Sequence, residues 1–264
     1  MRKKCLLAIL AIYGLVAAIP IFAATKTFPV KPVLCSHAMP WWLHPVMTIS
    51  GGIATAQVGR TQTLTMDDDF TTYAYAKNGA YSSKMIWGTF IGTEIPLHPD
   101  WALQLGFGYY QPASFSSGTG ILTQGIDESS SDQYPYSYQV ISRQLLAEGK
   151  LLWRVKERFH PFATLGLGAA FNYAYNYTVT IPPFTAFSPQ FTSHSNTAFS
   201  YSVGAGMDID INKNWRIGGG YRYTDLGKTK LGAGLIDATP FTSTLTQSNL
   251  YAQEVMANIT YLIF

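Results

Sequence analysis

The sequence predicts an all-β chain closed into an eight-stranded antiparallel up-and-down transmembrane β-barrel, with short periplasmic turns and four long extracellular loops. Three observations carry that expectation. Apolar and small or polar residues alternate with period two through many segments, as side chains alternate across a strand. The apolar faces end in aromatic residues at both margins. Long loops and tight turns join the segments by turns, as in barrels of bacterial outer membranes.

The pattern is clearest from Thr197 to Asp225. One face carries Phe199, Tyr201, Val203, Ala205, Met207, Ile209 and Ile211, against Ser200, Ser202, Gly204, Gly206, Asp208 and Asp210. After the turn Asn212-Lys213-Asn214, Trp215, Ile217, Gly219, Tyr221 and Tyr223 oppose Arg216, Gly218, Gly220, Arg222 and Thr224. This is a hairpin with one greasy face and one small or charged face.

Upstream of the strands, the 264-residue chain opens with the basic residues Arg2, Lys3 and Lys4 and an apolar run from Leu6 to Ile19. That run is too short for a comfortable membrane span, and Ile21-Phe22-Ala23 offers a cleavage site. Residues 1–23 are therefore expected to be a signal peptide for export. The Pro-rich stretch 24–45, with Trp41 and Trp42, reads as a periplasmic lead-in whose indoles rest near headgroups. The barrel is expected over 46–264.

Export also changes the charge argument. The chain has 18 basic and 15 acidic residues, and cleavage removes three basic ones, leaving 15 against 15. A neutral mature chain gives no ground for nucleic-acid binding. Cys5 leaves with the signal, so Cys35 is alone and cannot form an internal disulfide. With no Cys/His cluster, neither a metal nor a cofactor is expected.

The strands follow in order. Val46–Val58 turns Met47, Ile49 and Ile53 outward, and the polar loop Gly59–Ala80 follows it. Tyr81–Ile95 faces Met85, Trp87, Ile91 and Ile95 outward, with Lys84, Gly88, Gly92 and Glu94 inward. After the turn Pro96–Asp100, Trp101, Leu103, Leu105, Phe107 and Tyr109 face out from a third strand. Gln111–Pro135 is a second long loop, rich in Ser, Gly and Thr. Tyr136–Val155 faces Leu145, Ala147, Leu151 and Trp153 outward, with Glu148, Lys150 and Arg154 inward. Phe159–Tyr177 sets Leu165, Leu167, Phe171, Tyr173 and Tyr175 against Thr164, Gly166, Gly168, Asn172 and Asn176. The third loop, Thr178–Asn196, is apolar for a loop (Ile181, Phe184, Phe187, Phe191). The hairpin described above supplies strands six and seven. Leu226–Ser248 is the fourth loop, and Asn249–Phe264 the eighth strand, with Tyr251, Val255, Ile259 and Tyr261 outward and Glu254 and Asn258 inward. Closing the sheet removes the open edges that hydrocarbon does not tolerate. Trp87, Trp101, Trp153, Trp215, Tyr221, Tyr223 and Tyr261 are the expected membrane-interface aromatics.

The run WRIGGGYRYTDLG at Trp215–Gly227, the glycine-rich inward faces and the terminal Phe264 resemble the small outer-membrane β-barrel family that includes the OmpA transmembrane domain and the opacity proteins. The resemblance covers the whole expected mature chain. It implies a Gram-negative outer membrane, contact with membrane lipid and lipopolysaccharide, and delivery by the assembly machinery through the last strand. Tyr261 and Phe264 are the implied assembly signal, although Phe264 is out of phase with Ile259, Tyr261 and Ile263. No peptidoglycan-binding domain of the OmpA kind is expected after strand eight.

The inward charges are Lys84, Lys150, Arg154, Arg216 and Arg222 against Glu94, Glu148, Asp208, Asp210 and Glu254. An eight-stranded barrel is just wide enough for side chains to fill, so these charges must pair or be solvated. The expected outcome is a salt-bridged plug, with Arg216 and Arg154 meeting Asp208 and Asp210 near the periplasmic end. A narrow channel for ions or small solutes is the alternative.

A third reading is a lipid-A-modifying hydrolase. It would rest on His194 in Ser193-His194-Ser195-Asn196, where no orienting acid is evident and the spacing is not the deacylase one. Asp67-Asp68-Asp69 reads as a solvated loop run rather than a cation site. The expectation is a monomeric, non-enzymatic protein with a structural or surface-interaction role through its outer loops, which suit a host or surface ligand.

Overall fold

The computed structural model describes residues 43–264, apart from 67–68, 114–115, 126–130, 156–157, 183–187, 237–238, 242, 248 and 264. The signal expectation, the lead-in up to residue 42, Cys35 and Phe264 lie outside the described residues, and the last two residues of the expected lead-in, His44 and Pro45, already belong to a strand.

Sixteen strands and no helix make up the described chain. In order they are β1 (His44–Gln57), β2 (Gln62–Met66), β3 (Asp69–Lys77), β4 (Tyr81–His98), β5 (Trp101–Pro112), β6 (Ser116–Gly125), β7 (Asp132–Trp153) and β8 (Phe159–Val179). There follow β9 (Gln190–Phe191), β10 (His194–Asp210), β11 (Trp215–Asp225), β12 (Thr229–Lys230), β13 (Gly234–Ile236), β14 (Thr239–Phe241), β15 (Thr246–Gln247) and β16 (Tyr251–Leu262). Eight of them close a ring in the order β7-β5-β4-β1-β16-β11-β10-β8, and β8 pairs back onto β7. All ring pairs are antiparallel. The first and last strands meet from Val46↔Leu262 to Ala56↔Ala252, which seals the wall.

The alternation that marks these strands is the alternation of their exposure. Met47, Ile49, Ile53, Leu105, Phe107, Leu145, Leu165, Val203, Val255 and Ile259 are exposed on the outer surface, while Gln104, Gln144, Asp208, Thr260 and Glu254 between them are buried. An apolar exterior around a polar interior is the inverse of a water-soluble sheet, and it fits a hydrocarbon surround. Aromatic pairs bound the band. Trp101 stacks on Trp153 (centroids 5.6 Å, interplanar 3°) and Trp215 packs on Tyr261 (4.9 Å) at the end with the short turns. Trp87 packs on Tyr109 (5.7 Å), and Tyr223 stacks on Tyr251 (5.7 Å), at the opposite end.

Beyond that second belt the chain departs from the expected loops. The stretches read as polar loops at Gly59–Ala80 and Gln111–Pro135 carry β2, β3 and β6. The sheet continues through them as β2-β3-β6-β7, from Thr72↔Gly125 to Lys77↔Gly120 and from Ser116↔Val140 to Gln124↔Asp132. β7 has 22 residues, about 70 Å at ~3.3 Å per residue, far more than a bilayer requires. The period-two pattern is present here too, with Tyr134, Tyr136, Tyr138 and Val140 buried on one face. Its other face carries Gln133, Pro135, Ser137 and Gln139 because that face meets water.

These outer strands enclose a core of their own. Tyr73, Tyr75, Leu122, Tyr136, Tyr138, Tyr177, Phe191, Leu226, Leu231, Leu245 and Leu250 form one buried cluster. Phe191 comes from the third loop, and Leu231 and Leu245 from the fourth. Short ladders hold them there, β12 with β15 and β13 with both β9 and β14. The apolar character of the third loop thus has a structural use at Phe191. Phe184 and Phe187 lie outside the described residues.

One side chain faces opposite to expectation. Asn176, expected inward, is exposed and has φ 54°. The β7–β8 register shifts between Ser137 and Gln139, whose partners are Thr178 and Tyr175. The extra residue in β8 is a bulge that changes the phase and turns Tyr177 into the cap core. Asn tolerates this left-handed backbone and a β-branched residue does not. Asn176→Val is expected to cost about 1–2 kcal/mol, read as an earlier urea midpoint in lipid vesicles, with Asn176→Gly near wild type.

Candidate functional site

The inward faces build a layered interior. At the short-turn end, the Arg216 guanidinium donates through Nη1 to Glu94 (2.8 Å) and through Nε to Asp210 (2.7 Å). Asp210 also meets His160 Nε2 at 2.7 Å, and Gln104 donates to Glu94 at 2.7 Å. β4, β5, β8, β10 and β11 each contribute one of these side chains, so this layer ties five strands across the barrel. The fork of donors on an arginine suits two carboxylates at once.

Next, Lys150 donates to Asp208 at 2.5 Å, with its ammonium 3.9 Å from the Phe162 ring centroid. Asp208 is fully buried. Gly218 is its partner across β10 and β11, and a Cβ there would overlap Asp208 Oδ1. The glycine is the space in which the carboxylate sits.

In the third layer Arg222 donates to Glu254 through Nε (2.7 Å), pairs with it again through Nη2 (2.6 Å), and reaches Glu148 through Nη1 (3.3 Å). The Tyr110 ring lies 3.5 Å from the guanidinium carbon, and its hydroxyl donates to Glu148 at 2.8 Å. Above, neutral groups take over. Gln144 donates to Ser200 (2.9 Å), Ser200 to the Asp225 carbonyl (2.6 Å), and Asn172 to the Leu226 carbonyl (2.8 Å). The apolar cap begins at Leu226.

Space inside this column is small and divided. A cavity of about 90 Å³ lies among Thr48, Gln104, Lys150 and Arg222, and one of about 40 Å³ among Lys84, Tyr110, Gln144 and Leu226. A wider recess of about 250 Å³ opens at the short-turn end, lined by Glu94, Arg154, His160, Asp210, Lys213 and Arg216 among others.

The expected interior charges therefore fall into different places. Glu94, Asp210 and Arg216 meet in one layer, Lys150 and Asp208 in the next, and Glu148, Arg222 and Glu254 in the third. Lys84 is half-buried beside the upper cavity. Arg154, expected to meet Asp208 or Asp210, does neither. β7 ends at Trp153, so the inward alternation stops one residue short, and Arg154 stands exposed on the rim of the recess. Its backbone N–H donates to the Asp100 carbonyl at 2.8 Å. His160, Tyr110 and Gln104 were absent from the expected charge network. Each lies in phase with inward residues of its own strand, which was the available signal.

Of the interface aromatics, Trp87, Trp101, Trp153, Trp215, Tyr221 and Tyr261 are exposed on the outer surface and Tyr223 is half-exposed. His194 begins β10 opposite Ala174, half-buried, and no carboxylate pairs with it among the described residues. Among those residues no group of three or more His, Cys, Asp or Glu side chains converges as a metal site would.

Comparison with known proteins gives similar solved structures at low identity and one matching family. Neisserial surface protein A matches over 83% of this chain and 96% of its own, at 11% identity and a TM-score of 0.40. OprG from Pseudomonas aeruginosa matches over 83% and 95%, at 12% identity and 0.40. The outer membrane protease OmpT from Escherichia coli matches over 85% and 98%, at 9% identity and 0.42. No curated protein matches the sequence. The family described as outer membrane protein beta-barrel domain matches residues 47–261, nearly the whole described chain. The chain belongs to that outer-membrane β-barrel family.

Proposed function

We propose that the protein is a non-conducting outer-membrane scaffold that presents a folded extracellular surface to partners outside the cell, as a structural or adhesin-like component without catalytic chemistry. The observation that carries this reading is the apolar cluster from Tyr73 to Leu250 seated above the charged interior. A chain that only had to join strands could use short polar loops. Here the connections are long, paired into strands and packed on a core, which fixes their outer face in one shape.

The interior supports the same reading. Three layers of ion pairs cross the interior, with a cavity of about 90 Å³ among Thr48, Gln104, Lys150 and Arg222 and one of about 40 Å³ above the third layer, beside Gln144 and Leu226. In this account residues 1–23 are removed on export, 24–45 lie in the periplasm, and the protein works as a monomer. The last strand is read by the assembly machinery through Tyr261 and Phe264.

The test is attachment of cells displaying the protein to host-cell and abiotic surfaces. It is compared with a variant in which residues 60–79 and 113–131 are replaced by short turns. Lower attachment by the shortened barrel, at equal surface level, is expected. Equal attachment would remove the surface role.

A further inference from the structure

The recess at the short-turn end is closed on one side by the first ion-pair layer and open to water on the other. Arg216 and His160 on its floor are buried, while the side chains of His98 and Asp100 on its rim are 64% and 60% exposed. Its volume of about 250 Å³ approaches the lower end of small-molecule sites, roughly 300 Å³. The two cavities above it are far smaller.

Charge is unevenly divided over this recess. The carboxylates of the floor are already engaged, Glu94 by Arg216 and Gln104, and Asp210 by Arg216 and His160. The rim carries Arg154 and Lys213, both exposed and neither in an ion pair among the described residues. One acid stands with them, Asp100, whose carboxylate lies 3.8 Å from His98. An anion entering here therefore meets two cations without displacing a carboxylate that already holds them.

Both cations stand on fastened backbone. The Arg154 N–H donates to the Asp100 carbonyl at 2.8 Å, and the next residue, Val155, bridges to Phe159. Lys213 sits in the β10–β11 turn, where Asn212 Oδ1 accepts from the N–H of Asn214 (2.9 Å) and of Trp215 (3.0 Å). Asn214 in turn donates to the Leu262 carbonyl at 2.9 Å, which ties that turn to β16. Placement of this kind lowers the ordering cost of binding. Pro96, Ala102, Leu152 and Leu262 line the same recess and offer apolar wall to a short hydrocarbon spine.

An arginine fork is matched to a carboxylate, and a lysine ammonium serves a second one as a point charge. We infer that the recess binds a small organic dicarboxylate from the periplasm, with one carboxylate on Arg154 and the other on Lys213. This inference uses the periplasmic face of the barrel and is independent of the surface role above.

The experiment refolds the protein without its first 23 residues in detergent micelles, where both ends are open to the bulk. Succinate, glutarate and adipate are titrated by calorimetry, beside butyrate, which has one carboxylate, and inorganic phosphate. At least one dicarboxylate is expected to bind saturably at one site per barrel, about tenfold more tightly than butyrate or phosphate. Arg154→Gln and Lys213→Gln should each weaken it about tenfold. Arg158→Gln removes the same charge from the adjoining turn, outside the recess wall, and should bind as wild type. All three changed side chains are exposed, so the variants should keep the heat-modifiable barrel. Absence of saturable binding by every dicarboxylate would overturn the inference. So would butyrate or phosphate binding as tightly as the best dicarboxylate, equal affinity in wild type and Arg154→Gln, or an Arg158→Gln loss matching that of Arg154→Gln.

Discussion

Replacing Arg222 by Met is expected to cost about 3–5 kcal/mol, the range for removing one partner of a buried ion pair. Arg222 is buried and holds Glu254 at 2.6 Å and Glu148 at 3.3 Å. Without it, two carboxylates remain in the middle of the barrel, where other cations are already engaged or lie in different layers. Like charges brought together out of bulk water are the main source of the loss, and the contact with the Tyr110 ring goes as well. The measurement is the urea midpoint of the folded, heat-modifiable form in lipid vesicles. The triple variant Arg222→Met, Glu148→Gln, Glu254→Gln should recover most of the stability, because neutral amides carry no unpaired charge. An Arg222→Met barrel that unfolds at the wild-type midpoint would mean that water, not Arg222, solvates those carboxylates.

The second large effect belongs to the cap. Tyr75 is completely buried, edge-on to Tyr136 (5.2 Å) and to Phe191 (6.1 Å). It thereby joins β3, β7 and the third loop. Tyr75→Ala is expected to cost about 3–5 kcal/mol of cap stability, as for other large aromatic truncations. The barrel strands do not depend on that ring. Treating intact cells with protease should therefore newly cleave the variant within 59–80 or 111–135, while a membrane-protected, heat-modifiable barrel fragment survives. A cleavage pattern identical to wild type would mean that the cap does not rest on this core. Burial also raises the Tyr75 phenol well above its usual pKa. A group with a raised folded-state pKa gives its full stabilisation below the unfolded value and loses it as pH climbs. The cap should accordingly loosen above about pH 10, the ordinary phenol value.

Why some of this was legible in the sequence, and some not, has a physical basis. Lipid favours apolar residues at the outward positions of a spanning strand, so Phe199 to Ile211 and Trp215 to Tyr223 announce themselves. Above the membrane the outward face meets water, and Ser117, Thr119, Gln133 and Ser137 make β6 and the far end of β7 look like loop. There the strand signal survives only on the inner face, as Leu122 with Tyr134, Tyr136 and Tyr138.

The phase of each strand showed which charges face inward, yet it could not show which of them meet. Pairing depends on the stagger between strands, and Arg222 reaches Glu148 across the barrel from a strand that β11 does not touch. Arg154 was misplaced because phase says nothing about where a strand stops. His160 was missed although it lies inside the expected strand Phe159–Tyr177 and in phase with Thr164 and Gly166, because only the Lys, Arg, Asp and Glu side chains were collected as inward charges. Asn176 was misdirected because one extra residue inverts everything beyond it, although Asn is among the residues that tolerate such a bulge.

The central claim is a closed interior beneath a packed cap, and current through single molecules tests it most directly. The protein is refolded without its first 23 residues and placed in a planar bilayer under an applied voltage. The account predicts no steps above the bare membrane. Reproducible steps, altered by Arg216→Gln or Asp208→Asn, would contradict it and make the ion-pair layers the walls of a conduit.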